Sequence, residues 1–216
     1  MPPDRATLIA GAAALACPLS DAQADALLAY LALLQRWNQV YNLTAIRDPQ
    51  QMLLQHLLDS LTVIAPLARE LPPAATAQRL LDVGSGGGLP GVVIAVLRPD
   101  LQVTCVDTVG KKATFIRQVS AELRLPNLRA QHARVEQLQD GPYDLITSRA
   151  FASLFDFVQL SRALLAPHGR WMAMKGQHPQ AEIDALPADV QVTAVEPLQV
   201  PGLDAARCLV WLQRRG

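Results

Sequence analysis

The chain has 216 residues, enough for one α/β domain of about 150 residues with some 60 left for an appended element. Hydrophobic residues make up 50% and charged residues 18%, so apolar burial can offset the ordering entropy and intrinsic disorder is excluded. Lys+Arg 19 against Asp+Glu 19 give a formal net charge of zero, which argues against binding nucleic acid or an anionic membrane through the overall field. Any basic site has to be local.

Leu8 to Cys17 is small and apolar and ends in Ala14-Leu15-Ala16-Cys17, faintly like a lipoprotein cleavage site. Arg5 is a poor basic region, being offset by Asp4, and Ser20 with Gln23 forms an S-x-x-Q capping box just beyond, so the segment reads as folded chain. Leu27, Leu28, Leu31, Leu34 and Trp37 at helical spacing predict a helix from Ser20 to about Gln39. Asp48-Pro49 restarts a helix carried by Met52, Leu53, His56, Leu57, Leu61 and Ile64. Residues 1–66 are thus expected to be a helical region, with Pro66 and Pro72-Pro73 as the connector to a second domain over 67–216. There the period changes. Strands are expected at Arg79 to Val83, Gln102 to Asp107, Leu128 to Gln131, Tyr143 to Thr147 and Arg170 to Met174, with helices near Pro90 to Leu97, Lys111 to Arg124 and Leu154 to Leu165. This alternation is that of a mostly parallel, doubly wound α/β sheet. Val190 to Val195 and Cys208 to Leu212 follow without a clear helix between them, which suggests an antiparallel edge. The longest apolar stretch, Gly88 to Leu97, contains Pro90 and stops at Arg98, too short to span a bilayer, so a soluble protein is expected.

Cys17, Cys105 and Cys208 are odd in number and far apart, with no ligand-like spacing, and imply a reducing compartment and no structural metal. Residues 98–134 hold seven cations against Asp100, Asp107 and Glu122, a net of +4, whereas residues 179–204 hold five acids and no Lys or Arg. That describes either a dipolar surface or ordinary solvated helix faces.

Asp82-Val83-Gly84-Ser85-Gly86-Gly87-Gly88 follows the first strand directly and leads into a helix, the place where open α/β sheets bind ligands. Read from Gly86, the loop satisfies G-x-G-x-x-G through Gly88 and Gly91, and Asp107 follows 21 residues later to accept from a ribose diol. Alone, this pattern fits a nicotinamide-dependent oxidoreductase equally well. Asp82 separates the two readings, because a pyrophosphate would be repelled by a carboxylate there and a cofactor with an ammonium, a sulfonium and no phosphate would not. S-adenosylmethionine answers that description, and the order of acids and glycines resembles class I S-adenosylmethionine-dependent methyltransferases. An Asn/Asp-Pro-Pro-aromatic stretch, usual for attack on exocyclic amines, is missing after the fourth strand, where Thr147-Ser148-Arg149-Ala150-Phe151-Ala152 stands instead. Cys105 lies inside a strand and reads as core, so no cysteine nucleophile for carbon attack is in place. A ring nitrogen such as purine N7 needs neither device, only alignment and electrostatics.

The chain resembles, from about Leu27 to Leu212, the RsmG (glucose-inhibited division protein B) family of small-subunit rRNA guanine-N7 methyltransferases. The resemblance is carried by Trp37-Asn38-Gln39-Val40-Tyr41-Asn42-Leu43-Thr44, His56-Leu57-Leu58-Asp59-Ser60, Asp82 to Gly91, Ser148-Arg149-Ala150-Phe151-Ala152 and Met174-Lys175-Gly176-Gln177. It implies a seven-stranded class I fold and methyl transfer from S-adenosyl-L-methionine to N7 of a guanine in 16S rRNA or the small ribosomal subunit; a cytoplasmic enzyme is expected, and a monomer is the default expectation, with the oligomeric state left open by the sequence. The resemblance places cofactor contacts at Gly84, Leu89, Val135, Glu136 and Arg149, with Asp107 as the expected ribose partner, and basic positions toward the rRNA at Arg134, Arg149 and Lys175; the acid-and-glycine pattern of the loop adds Asp82, Gly86 and Gly88 to the expected cofactor set. Gly87, where many family members carry Ala or Pro, is a small departure.

Each residue also has a plainer role. Arg149 could pair with an acid and Glu136 could cap a helix. Lys175 is one of three Lys among nineteen cations, the others being Arg, and a point charge suits phosphate. His56 and Asp59, one helical turn apart, read as a structural pair, and Trp37 and Tyr41 as core packing more than as stacking platforms for bases.

Overall fold

The computed structural model describes residues 4–149 and 151–215; Ala150, within the Ser148-to-Ala152 motif, lies outside them. A seven-stranded sheet runs in the order β3-β2-β1-β4-β5-β7-β6. Its strands are β1 (Gln78–Val83), β2 (Leu101–Asp107), β3 (Leu128–His132), β4 (Tyr143–Arg149), β5 (Leu165–Lys175), β6 (Val190–Leu198) and β7 (Arg207–Arg214). The first five pair in parallel, and β7 is antiparallel to both β5 and β6, as expected. β5 begins at Leu165, earlier than the pattern predicts, because α8 (Leu154–Ser161) gives way to a 3₁₀ turn at Arg162–Leu164 and the chain enters the sheet opposite Tyr143.

Two apolar clusters sandwich the sheet, and the strands divide between them with period two. Leu80, Val103, Cys105, Met172, Met174, Leu209 and Trp211 face one side. Leu81, Val83, Trp171, Ala173, Val210 and Leu212 face the other, beneath α8. The first side is covered by α6 (Gly91–Leu97), α7 (Gly110–Glu122) and the N-terminal helices, whose Leu27, Leu31, Leu34, Leu57 and Leu61 are buried in the same cluster.

The N-terminal helices are α1 (Arg5–Ala14), α2 (Asp21–Tyr41), α3 (Pro49–Met52), α4 (Asp59–Leu61) and α5 (Ile64–Glu70). Asp4 caps α1, and Ser20 with Gln23 closes the capping box on α2. The single helix expected after Asp48 is broken by a π-helical segment at Leu53–Leu58. The connector expected at Pro66 is also corrected. Pro66 is the third residue of α5, where a missing N–H leaves no helix bond unmade, and the helix continues to Glu70.

Candidate active site

The glycine loop follows β1 and is held by backbone. Gly84 and Ser85 donate to the Val106 carbonyl at 2.9 and 3.2 Å, and Gly86 N–H donates to Asp107 Oδ2 at 2.9 Å. Gly84 and Gly86 have φ of +66° and +58°, conformations that side chains disfavour, and a Cβ on Gly86 would meet nothing within 4 Å. Their open faces leave backbone exposed to a ligand.

Two cavities meet at this loop, and a third adjoins them through His56 and Arg149. The first, about 330 Å³, has apolar walls from Val109, Val135, Phe151 and Leu160, with Gly84, Asp107, Lys112, Arg134 and Glu136 at its polar rim. A second, about 140 Å³, lies over Gly84, Ser85, Gly86, Gly87 and Leu89 and reaches Thr44, His56 and Arg149. The third, about 420 Å³, is lined by Ile46, Gln55, His56, Asp59, Arg149, Met174, Lys175, Gly176 and Arg207. Gly84 belongs to the first two, and His56 and Arg149 to the last two, so the three form one cleft.

This cleft gathers Gly84, Gly86, Leu89, Asp107, Val135, Glu136 and Arg149 of the expected cofactor set. It leaves out two. Asp82, expected beside a cationic ligand, is wholly buried under the loop, where its Oδ2 accepts from Gly91 N–H at 2.8 Å. Desolvation pushes its carboxyl up to about 7, and Oδ1 is buried without a partner. Gly88 faces α6 and α7, since a Cβ there would stand 2.5 Å from Val92 Cγ2 and 3.2 Å from Ile116 Cγ1. Both shape the loop from beneath. The three basic positions are divided as well: Arg149 and Lys175 share the cavity of about 420 Å³, whereas Arg134 is exposed at the rim of the apolar one, 3.9 Å from Glu136. Lys175 has a protein partner, its Nζ lying 2.7 Å from Glu182 Oε2, which also accepts from Leu154 N–H at 2.7 Å.

His56 and Asp59 do not bond each other as the helical spacing suggested. The His56 Nε2 is 3.0 Å from Thr44 Oγ1. Burial, and then the positive charge of Arg149, bring its pKa down to about 4. Asp59 instead takes Arg149 Nη1 on Oδ2 at 3.2 Å and Arg207 Nε on Oδ1 at 2.9 Å. Arg207 went unrecognised because nothing near it in sequence marks it, and strand β7 alone brings it here. Trp37 packs on Phe115 with centroids 5.5 Å apart, while Tyr41, also in contact with Trp37, is 43% exposed and thus not core.

The donor set fits S-adenosylmethionine. The apolar walls suit a purine ring, the Asp107 carboxylate beside the loop amides is an acceptor suited to a ribose diol, and the region near Gly84 and Arg149 is narrow, polar and free of side chains from the glycines. Among the described residues, no group of three or more His, Cys, Asp or Glu could hold a metal, and no helix is long and apolar enough to cross a membrane.

A 3-2-1-4-5-7-6 sheet with a glycine loop after β1 and a ligand cleft at the strand ends defines a class I methyltransferase. Its likeness to solved structures shows that fold. TrmN from Thermus thermophilus superposes with a TM-score of 0.58 at 18% identity, over 76% of this chain and 53% of that one. A mutant of MtNAS in complex with S-adenosylmethionine superposes with a TM-score of 0.60 at 13% identity, over 89% of this chain and 79% of that one. The chain belongs to the rRNA small subunit methyltransferase G family, whose model matches residues 23–210. The Ribosomal RNA small subunit methyltransferase G of Leptothrix cholodnii is 77% identical over 215 residues, spanning 100% of this chain and 98% of that one.

Proposed function

We propose that the enzyme transfers a methyl group from S-adenosyl-L-methionine to N7 of a guanine in 16S rRNA, within the small ribosomal subunit, and works in the cytoplasm. The observation that carries this reading is the position of Arg149, which lies in both the narrow cavity over the glycine loop and the wider cavity beside it. When bound, the cofactor supplies an electrophilic methyl on a cationic sulfur. The apolar cavity bounded by Val135 and Phe151 takes the adenine, Asp107 accepts from the ribose, and Gly84 and Gly86 bring backbone against the methionine portion. The wider cavity takes the target base, and its basic side chains face the flanking phosphates.

Guanine N7 carries an available lone pair, so no residue has to remove a proton before attack. The work left to this chain is alignment and the handling of a positive charge that moves from sulfur to base. Among the charged side chains of the wider cavity and its edge, Arg149, Lys175 and Arg207 stand against Asp59 and Glu182, a net of one positive charge, enough to meet a phosphate without strongly opposing a cationic base. The helical region expected over residues 1–66, which the helix through Pro66 carries on to Glu70, closes the cleft over the sheet domain in this reading. Labelled methyl transfer to small subunits from a strain lacking the enzyme, followed by mapping of the modified base, tests the reading. Label at guanine N7 is expected, and label on protein or on another base atom would overturn it.

A further inference from the structure

The helical segment that passes the cleft changes its winding at one place. Over Leu53–Leu58 it widens into a π-helix, and the Asp59 N–H points to the carbonyls of Leu54 and His56, passing over Gln55, its partner in a regular helix. The Gln55 carbonyl is then available to accept from Arg149 Nη1 at 2.9 Å. The same Nη1 lies 3.2 Å from Asp59 Oδ2, and Arg207 Nε holds Asp59 Oδ1 at 2.9 Å. Asp59 is 3% exposed. A carboxylate buried between two guanidinium groups gains little net stability, because desolvation cancels much of the attraction, and its main effect is on geometry. Arg149 is tethered through Nη1 alone among the described residues, so its Nε and Nη2 remain as donors toward the cleft.

We propose that Asp59 and the Gln55 carbonyl, brought together by the π-helical segment, are a positioning device for Arg149, and that Asp59 affects the rate of methyl transfer mainly through that guanidinium, its charge being a smaller part of the cavity's balance. The proposal rests on the function given above. Two acceptors on one nitrogen fix where the guanidinium sits, at the junction of the cofactor and substrate cavities. Arg207 fixes Asp59 in turn, since rotation of the carboxylate would break its bond to β7. Asp59 is therefore a positioning residue and not a catalytic one.

The test is a double-mutant cycle on single-turnover methylation of small subunits from a strain lacking the enzyme, with cofactor affinity measured by calorimetry. Asp59→Asn is expected to lower the rate constant by about ten- to a hundred-fold, the scale on which misplacement of an aligned group acts, with KM for the particle and cofactor affinity within about three-fold of wild type. In an Arg149→Ala background the same substitution should change the rate less than about two-fold, because the group it positions is already gone. Multiplicative effects of the two substitutions would overturn the proposal. Should Asp59→Asn fail to fold, Arg149→Lys carries the test: it keeps the charge, but an ammonium on a flexible stem cannot reproduce the planar tether, so its rate should fall as far as that of Arg149→Ala. A wild-type rate in Arg149→Lys would overturn the proposal. A wild-type protein that methylates no particle would overturn the functional reading itself, whereas an active one with multiplicative variants would overturn the role of Asp59 alone.

Discussion

The Tyr30 hydroxyl donates to the Gly87 carbonyl across 2.9 Å, joining the middle of α2 to the glycine loop 57 residues away. Tyr30 is wholly buried, and desolvation raises its phenol far above the usual range, so it remains a donor at every accessible pH. The N-terminal helices therefore brace the loop that faces the cleft. Tyr30→Phe should cost about 1 kcal/mol of stability, the net worth of one buried hydrogen bond. The loosened loop should also weaken S-adenosylmethionine binding several-fold, and calorimetry beside thermal unfolding would check both.

Two neighbouring glycines should respond in opposite ways. Gly84 sits at φ +66° with its open face toward the cleft, and the nearest atom to an added Cβ is Phe151 Cδ2 at 3.9 Å. Gly84→Val would be strained by backbone conformation and would fill the junction of two cavities, so cofactor affinity should fall at least about ten-fold. Gly87 has no such backbone demand, and its Cβ would press on Leu34 Cδ1 at 3.2 Å, with the Tyr30 hydroxyl at an ordinary contact distance of 3.7 Å. Gly87→Ala should need a shift of a few tenths of an ångström in one leucine methyl and keep affinity within about two-fold. Equal losses in both variants, measured by titration, would remove the distinction.

Lys175 lines the wider cavity while paired with Glu182, and the acid also caps the start of α8 through Leu154 N–H. If the ammonium turns to an RNA phosphate on binding, Lys175→Ala should weaken association with the small subunit and lower the salt slope by about one, without changing cofactor affinity. Arg149→Ala should depress turnover more, since it faces both cavities. Binding and initial rates over a salt series would separate the two, and identical salt-independent losses would argue for a purely structural pair.

Two buried groups give the stability curve opposing slopes. Asp82, raised to about 7 by burial, holds a proton in the folded state that the unfolded chain releases near pH 4, so its contribution falls as pH rises from about 4 to 7. His56, lowered to about 4, is neutral when folded, whereas the unfolded chain takes up a proton below about 6.5. Its contribution is lost as pH falls from 6.5 to 4. Asp82→Asn should therefore leave a protein whose thermal midpoint climbs with pH across this window, and His56→Gln one whose midpoint drops. Parallel curves for wild type and both variants would contradict the assigned titrations.

Local pattern was sufficient for the β1 loop, the strand alternation and the antiparallel finish, because side-chain period and turn glycines act within a few residues of where they are read. Asp82 shows where that reading stops. Its spacing marked the loop, but only the seating of the start of α6 over the sheet decides that the carboxylate points beneath the loop to Gly91 N–H. Pro66 was read as a break because proline interrupts helices in general, whereas its actual position in the first turn of α5 makes it harmless. The pairing of Asp59 with Arg149 and Arg207, separated from it by 90 and 148 residues, has no local signature. Helical spacing offered His56 as the partner of Asp59, and the π-helical segment together with the arrival of β4 and β7 supplied two guanidinium groups in its place. Motifs whose chemistry is backbone-borne were legible in the chain, and the contacts that place charged side chains around the cleft were decided by the sheet order that brings distant strands together.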